Sequence, residues 1–283
     1  MDMKSHISIA LVLGAALLAS CDAFEKNAVQ DIVGPTPTTA RIKFHNFSVS
    51  SVGVNFFANG EKMTAVSTTA CTPTPTVDSL KAKCLAAGIE SATGIVYGTC
   101  TAGACSGGST AGGLYAAIAP GQYTLTAKMA AKDTIVSTVS QTIVDGNYYT
   151  FFMSGIYNAT TKTAEAFVIQ DPVPTGPADY AVAMVRFVNA VPNGTGDLNL
   201  FALNTTTTTE GQVGGAVAYK AAGAFTSFPP GIYNLRAAYT GAGTNLITRN
   251  TVSFVAGRIY TVTVRGSTAT VATLGLDNTE NQR

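Results

Sequence analysis

The chain has 283 residues, with 17 Lys+Arg against 16 Asp+Glu for a formal net charge of +1. A 46% hydrophobic share excludes a disordered chain, which would lack the apolar surface to offset ordering entropy. Charged residues are only 12%, about half the usual share of roughly 25%, and with so little net charge no nucleic-acid partner is expected.

The chain opens with Lys4 and an apolar run, Ile7–Leu18, of a length suited to a signal peptide and too short to span a bilayer. The run ends in Leu18-Ala19-Ser20-Cys21, which matches a bacterial lipobox. Residues 1–20 are therefore expected to be a lipoprotein signal peptide and Cys21 the lipidation site, with the membrane as partner through that anchor. Two or three acyl chains hold a protein stably, at about 0.8 kcal/mol per buried methylene. The expected location is the bacterial cell envelope, with the outer membrane slightly favoured over the inner membrane facing the periplasm. Residues 21–39 are polar, carry Pro35 and Pro37, and read as a tether.

From residue 40 the chain repeats itself. Ala40-Arg41-Ile42-Lys43-Phe44-His45-Asn46 returns as Ala183-Met184-Val185-Arg186-Phe187-Val188-Asn189, and Val54-Asn55-Phe56-Phe57 as Leu198-Asn199-Leu200-Phe201. Pro120-Gly121-Gln122-Tyr123 returns as Pro230-Gly231-Ile232-Tyr233, and Gly146-Asn147-Tyr148-Tyr149-Thr150 as Gly257-Arg258-Ile259-Tyr260-Thr261. The offset falls from 144 for Val54/Leu198 to 110 for Pro120/Pro230, so the first copy carries an insertion near 61–112. Apolar residues alternate with polar ones through both copies, between Pro-Gly and Asp-Gly turns, which predicts half-buried antiparallel strands. The fold class is all-β: two tandem antiparallel β-sandwich domains of immunoglobulin or transthyretin type, residues 40–170 and 180–277. Residues 171–179 read as a Pro-rich linker and 278–283 as a tail.

The opening A-x-[IV]-[KR]-F-x-N strand, followed by P-G-x-Y and G-x-x-Y-T, resembles the bacterial domain of unknown function 4397 family. The resemblance covers both copies and implies tandem β-sandwiches on secreted or lipid-anchored envelope proteins. It implies no catalytic residues, and the insertion departs from the compact pattern.

Four cysteines, Cys71, Cys84, Cys100 and Cys105, fall in the insertion. In an exported protein they read as two disulfides with three pairings open, Cys71–Cys84 with Cys100–Cys105 closing the shortest loops. A zinc site is the rival, but the spacing of Cys71 and Cys84 is unlike the tight pairs of structural zinc. No metal and no cofactor are expected. A short helix is predicted over Val77–Ala87. The insertion is expected to be a local appendage, removable without loss of either sandwich.

After signal removal His45 is the one histidine, read as a partly exposed strand residue. No nucleophile elbow, phosphate loop or zinc motif is present, and Asp133, Asp145, Glu165 and Asp197 are scattered over turns. No catalytic residue is assigned, and no enzyme is expected. The expected function is a non-catalytic interaction, adhesion or structural role, with a protein or polysaccharide partner. The alternative is a glycan or small-ligand binder; the chain has no Trp, leaving Tyr97, Tyr115 and Tyr157 as stacking candidates.

Overall fold

The computed structural model describes residues 40–64, 66–67, 89–90, 93–106, 108, 115–172 and 179–281. Cys21, the signal and tether segments, Cys71, Cys84, the helix expected over Val77–Ala87 and most of the linker lie outside them.

Among the described residues every regular element is a β-strand. The first half holds β1 (Ala40–Asn46), β2 (Val54–Ala58) and β3 (Glu61–Lys62) before the insertion. The insertion carries β4 (Val66–Ser67), β5 (Ile89–Glu90), β6 (Thr99–Thr101) and β7 (Ala104–Ser106). The first half then closes with β8 (Ala116–Ile118), β9 (Gly121–Met129), β10 (Ile135–Ile143), β11 (Tyr148–Asn158) and β12 (Thr163–Asp171). The second half holds β13 (Ala183–Ala190), β14 (Leu198–Asn204), β15 (Glu210–Val217), β16 (Ala221–Ala222) and β17 (Thr226–Phe228). It ends with β18 (Gly231–Tyr239), β19 (Ile247–Phe254), β20 (Ile259–Ser267) and β21 (Thr270–Glu280).

Each half is two facing sheets with the same strand order. Sheet β12-β11-β1-β8 faces β10-β9-β2-β3 in the first, and β21-β20-β13 with β16 and β17 faces β19-β18-β14-β15 in the second. Two pairings, one in each half, differ from the antiparallel expectation: β1 runs parallel to β11, and β13 parallel to β20. The cause is the route of the chain. After β1 it crosses to the other sheet for β2, β9 and β10, then returns, and a crossover of that length permits a parallel partner. Pro120-Gly121 and Asp145-Gly146 therefore turn the chain between sheets and do not close hairpins.

Alternation fills both cores. Ile42, Phe44, Phe56, Leu125, Tyr149 and Phe151 meet in the first, and Val185, Phe187, Leu200, Leu235, Tyr260 and Val262 in the second. The repeat motifs fix the same local bonds twice. The N–H of Val144 donates to the Tyr149 hydroxyl at 3.0 Å and that of Val255 to Tyr260 at 3.1 Å. Asn46 donates Nδ2 to the Ile95 carbonyl at 2.8 Å, and Asn189 to that of Val217 at 3.0 Å.

Three expectations are corrected. The central strands are not half-buried: every residue of β20 is buried, because the polar faces of β1, β11, β13 and β20 lie between the two sandwiches. The expected tail from 278 continues β21 to Glu280, with Asn281 buried behind it, and Asp171 is a buried strand residue, not linker.

The insertion is no appendage either. β6 and β7 form a hairpin whose turn, Ala102-Gly103, has φ of 48° and 79° at its two central residues. The Gly103 carbonyl accepts the Leu276 N–H at 2.8 Å, and a Cβ on Gly103 would stand 1.9 Å from the Thr248 carbonyl oxygen. Only glycine permits that approach. The hairpin is thus seated on the second sandwich, and residues Thr39–Arg283 form one unit.

Candidate functional site

Two places gather the chemistry of this fold: the polar layer between the sandwiches and a cavity in the second one.

The polar layer follows from strand alternation. With Ile42 and Phe44 facing one core, Lys43 and His45 must face away from it, and the same holds for Arg186 opposite Val185 and Phe187. Lys43 is 1% exposed, His45 2%, Arg186 1% and Arg265 0%. Arg186 makes a very short ion pair with the Asp171 carboxylate. That carboxylate also accepts the hydroxyls of Thr150 and Tyr115, each at 2.6 Å. Burial and the Asp171 charge hold the Tyr115 phenol well above its usual pKa, so it stays a donor. Arg186 Nε donates to Thr261 Oγ1 at 3.0 Å, which also receives Asn281 Nδ2 at 2.8 Å. Lys43 Nζ donates to Asn281 Oδ1 at 2.5 Å and lies 4.7 Å from the Tyr115 ring centroid. The layer is internally two-fold. Lys43 of the first sandwich meets Asn281 of the second, and Arg186 of the second meets Asp171 of the first, at repeat-equivalent positions.

Beside these bonds runs a column of rings. The Arg265 guanidinium sits over Phe47 at 4.7 Å and over Tyr97 at 4.4 Å. His45 stacks on Phe47 at 4.8 Å and on Phe152 at 5.1 Å, and Phe152 stacks on Phe167 at 5.0 Å. Arg265 pairs with Asp277 at 2.6 Å and donates to the Tyr97 carbonyl. Burial, then the charges of Lys43 and Arg265, hold the His45 pKa well below 6.5, so the ring is neutral. Burial likewise lowers Lys43 to about 8, Asp171 opposing and Arg186 adding to the shift.

This placement corrects the reading of His45 as partly exposed, and it commits the tyrosines elsewhere. Tyr97 is buried against Arg265 and donates to the Thr273 carbonyl at 2.7 Å, Tyr115 is bonded to Asp171, and Tyr157 packs on the first core. The acidic residues stay apart: Asp133 pairs with Lys128 at 3.3 Å, and Glu165 with Lys220 at 2.8 Å. Among the described residues no group of three His, Cys, Asp or Glu could hold a metal. Cys100 and Cys105 are directly opposed in the β6–β7 register.

The second place was not signalled by any motif. A cavity of about 310 Å³ opens between the sheets of the second sandwich, at the lower end of the ordinary small-molecule range of about 300–1,000 Å³. Its walls are Ala202, Gly211, Phe228, Pro229 and Tyr233, and exposed Thr207 and Thr209 rim it. The Thr205–Thr209 run in the sequence is that rim, but a run of threonines has no period that announces a cavity.

No curated protein matches this chain. Residues 183–283, the second sandwich, match the family described as Domain of unknown function (DUF4397).

Proposed function

We propose that the chain is a lipid-anchored protein of the bacterial cell envelope whose two fused sandwiches form a non-catalytic interaction module. The first half is inferred to be a diverged copy of the family domain matched by the second, since both halves share strand order and motif bonds. The observation that carries the non-catalytic reading is the burial of the chemistry-bearing side chains. Lys43, His45, Asp171, Arg186 and Arg265 are enclosed between the sandwiches, where they hold the halves together and no substrate reaches them. The Leu18-Ala19-Ser20-Cys21 lipobox supports the anchor.

The insertion reads as a strap, stapled by disulfides. Cys100 and Cys105 flank the positions next to a two-residue turn, a non-hydrogen-bonded pair whose Cα spacing of about 4.5 Å falls within disulfide range. That register supports a Cys100–Cys105 bridge, with Cys71–Cys84 as the second.

Metabolic labelling tests the anchor. Wild type should take palmitate and fractionate with membranes, and Cys21→Ser should do neither; a labelled Cys21→Ser protein overturns the reading. A hydrolase activity lost in a folded His45→Ala variant would overturn the non-catalytic role. A second reading, a small-ligand binder, is favoured by the cavity.

A further inference from the structure

We propose that the cavity of the second sandwich is a binding site for an uncharged alkyl chain. Its lining carries no charged side chain. Several of its polar groups are already engaged within the protein. Asn204 Oδ1 accepts the N–H groups of Thr206 and Thr207 at 2.9 and 3.0 Å. Thr226 Oγ1 accepts the Gly214 N–H at 2.8 Å, and Gln212 Nε2 donates to Asn199 Oδ1 at 2.8 Å. The Tyr233 hydroxyl donates to the Pro229 carbonyl at 2.7 Å. A sugar entering here would give up its bonds to water and find few partners, a loss of about 1–3 kcal/mol for each unmatched group. An alkyl chain loses nothing of that kind and gains apolar burial against Phe228, Pro229 and the Tyr233 ring. An apolar cavity of about half this volume suffices for a benzene ring.

Position adds a second argument. Phe228 is the register partner of Ala183, so the cavity lies at the end where β13 begins. β20 starts at that end, being parallel to β13, and Asn281 is tied there through its N–H to the Ile259 carbonyl at 2.7 Å. Lys43, midway along β1, reaches Asn281, and Ala40 lies three residues before it on the same strand. The cavity therefore opens on the end of the folded unit at which Ala40 continues from Cys21 and the tether. If Cys21 is lipidated as proposed above, this is the end joined to the acyl chains; the chemistry of the cavity does not depend on that reading.

The test is uptake of N-phenyl-1-naphthylamine by the full mature chain, followed by competition. Saturable uptake displaced by 1-dodecanol and not by maltoheptaose is expected. Vesicles of palmitoyl-oleoyl-phosphatidylcholine distinguish the source: displacement by them as well assigns a bilayer lipid chain, and displacement by dodecanol alone a free aliphatic molecule. Ala202→Leu, which fills the cavity, should weaken uptake by about tenfold or more. Because Ala202 is buried and its variant could misfold, Thr209→Trp at the exposed rim gives an independent readout. The protein has no other Trp, and dodecanol should shift that indole's emission to the blue. Absence of saturable uptake, displacement by maltoheptaose, undiminished uptake in folded Ala202→Leu, or an unmoved indole would each overturn the proposal. None of these outcomes touches the palmitate test of the anchor.

Discussion

Asp171→Asn is the most direct way to unbalance the layer between the sandwiches. The substitution keeps size and shape but removes the charge that faces Arg186 and accepts from Thr150 and Tyr115. Arg186 is 1% exposed and cannot recover water, and Thr261, its other partner, is neutral. Leaving one member of a buried pair uncompensated costs about 3–5 kcal/mol. The amide oxygen of Asn keeps part of the Thr150 and Tyr115 bonds, so a loss nearer 3 than 5 kcal/mol is expected. Urea unfolding of the mature chain, comparing midpoints at constant slope, measures it. The partner variant decides the cause: Asp171→Asn with Arg186→Met removes the stranded charge and should restore most of the loss. A single-variant effect below about 1 kcal/mol, or no recovery in the double variant, would refute the reasoning.

Three further outcomes are expected. Asn281→Asp gives Lys43 the carboxylate that Arg186 already has, so stability should rise by about 1–2 kcal/mol and the Lys43 pKa should move up, as followed by NMR of the side chain; a fall in both would count against the two-fold layer. Gly103→Val should lift the hairpin from β19 and β21, visible as new proteolytic cuts in the insertion together with faster amide exchange in β21; unchanged exchange in β21 would return the insertion to the status of an appendage. Because burial lowers the folded pKa of Lys43 from 10.5 to about 8, the folded state releases this proton first. Its favourable contribution is therefore complete above pH 10.5 and lost as pH falls through 8, a span worth about 3 kcal/mol. The difference in stability between wild type and Lys43→Met should track that window, and a pH-independent difference would contradict it.

Much of the fold was legible because burial in a strand leaves a period of two. Ile42 with Phe44, and Val185 with Phe187, marked the core faces. The motif residues Tyr149, Tyr260, Asn46 and Asn189 marked positions where a side chain completes a turn or strand end. The partner of the polar face was not legible. Lys43, Arg186 and His45 alternate with apolar residues as solvent-facing side chains do, and alternation records only that a face differs from the core. What distinguishes them is long-range: Asn281 lies 238 residues from Lys43, and Tyr97 lies 168 from Arg265. A hint was present in the basic residue repeated within the opening motif at Lys43 and Arg186, since a surface lysine has no reason to recur at one register. Parallel pairing was hidden for a related reason, because Pro-Gly and Asp-Gly mark a reversal without saying which sheet the chain enters next. The cavity left no trace, being a shape made by Phe228, Pro229 and Ala202 together.

If the buried polar layer and the Tyr97 strap join the two sandwiches, the halves unfold as one cooperative unit. Differential scanning calorimetry of the mature chain tests it most directly. One transition is expected, with a calorimetric enthalpy equal to the van't Hoff enthalpy, and Asp171→Asn should split or broaden it. Two separate transitions in the wild-type protein, unmoved by Asp171→Asn, would show that the halves fold independently and would contradict the account.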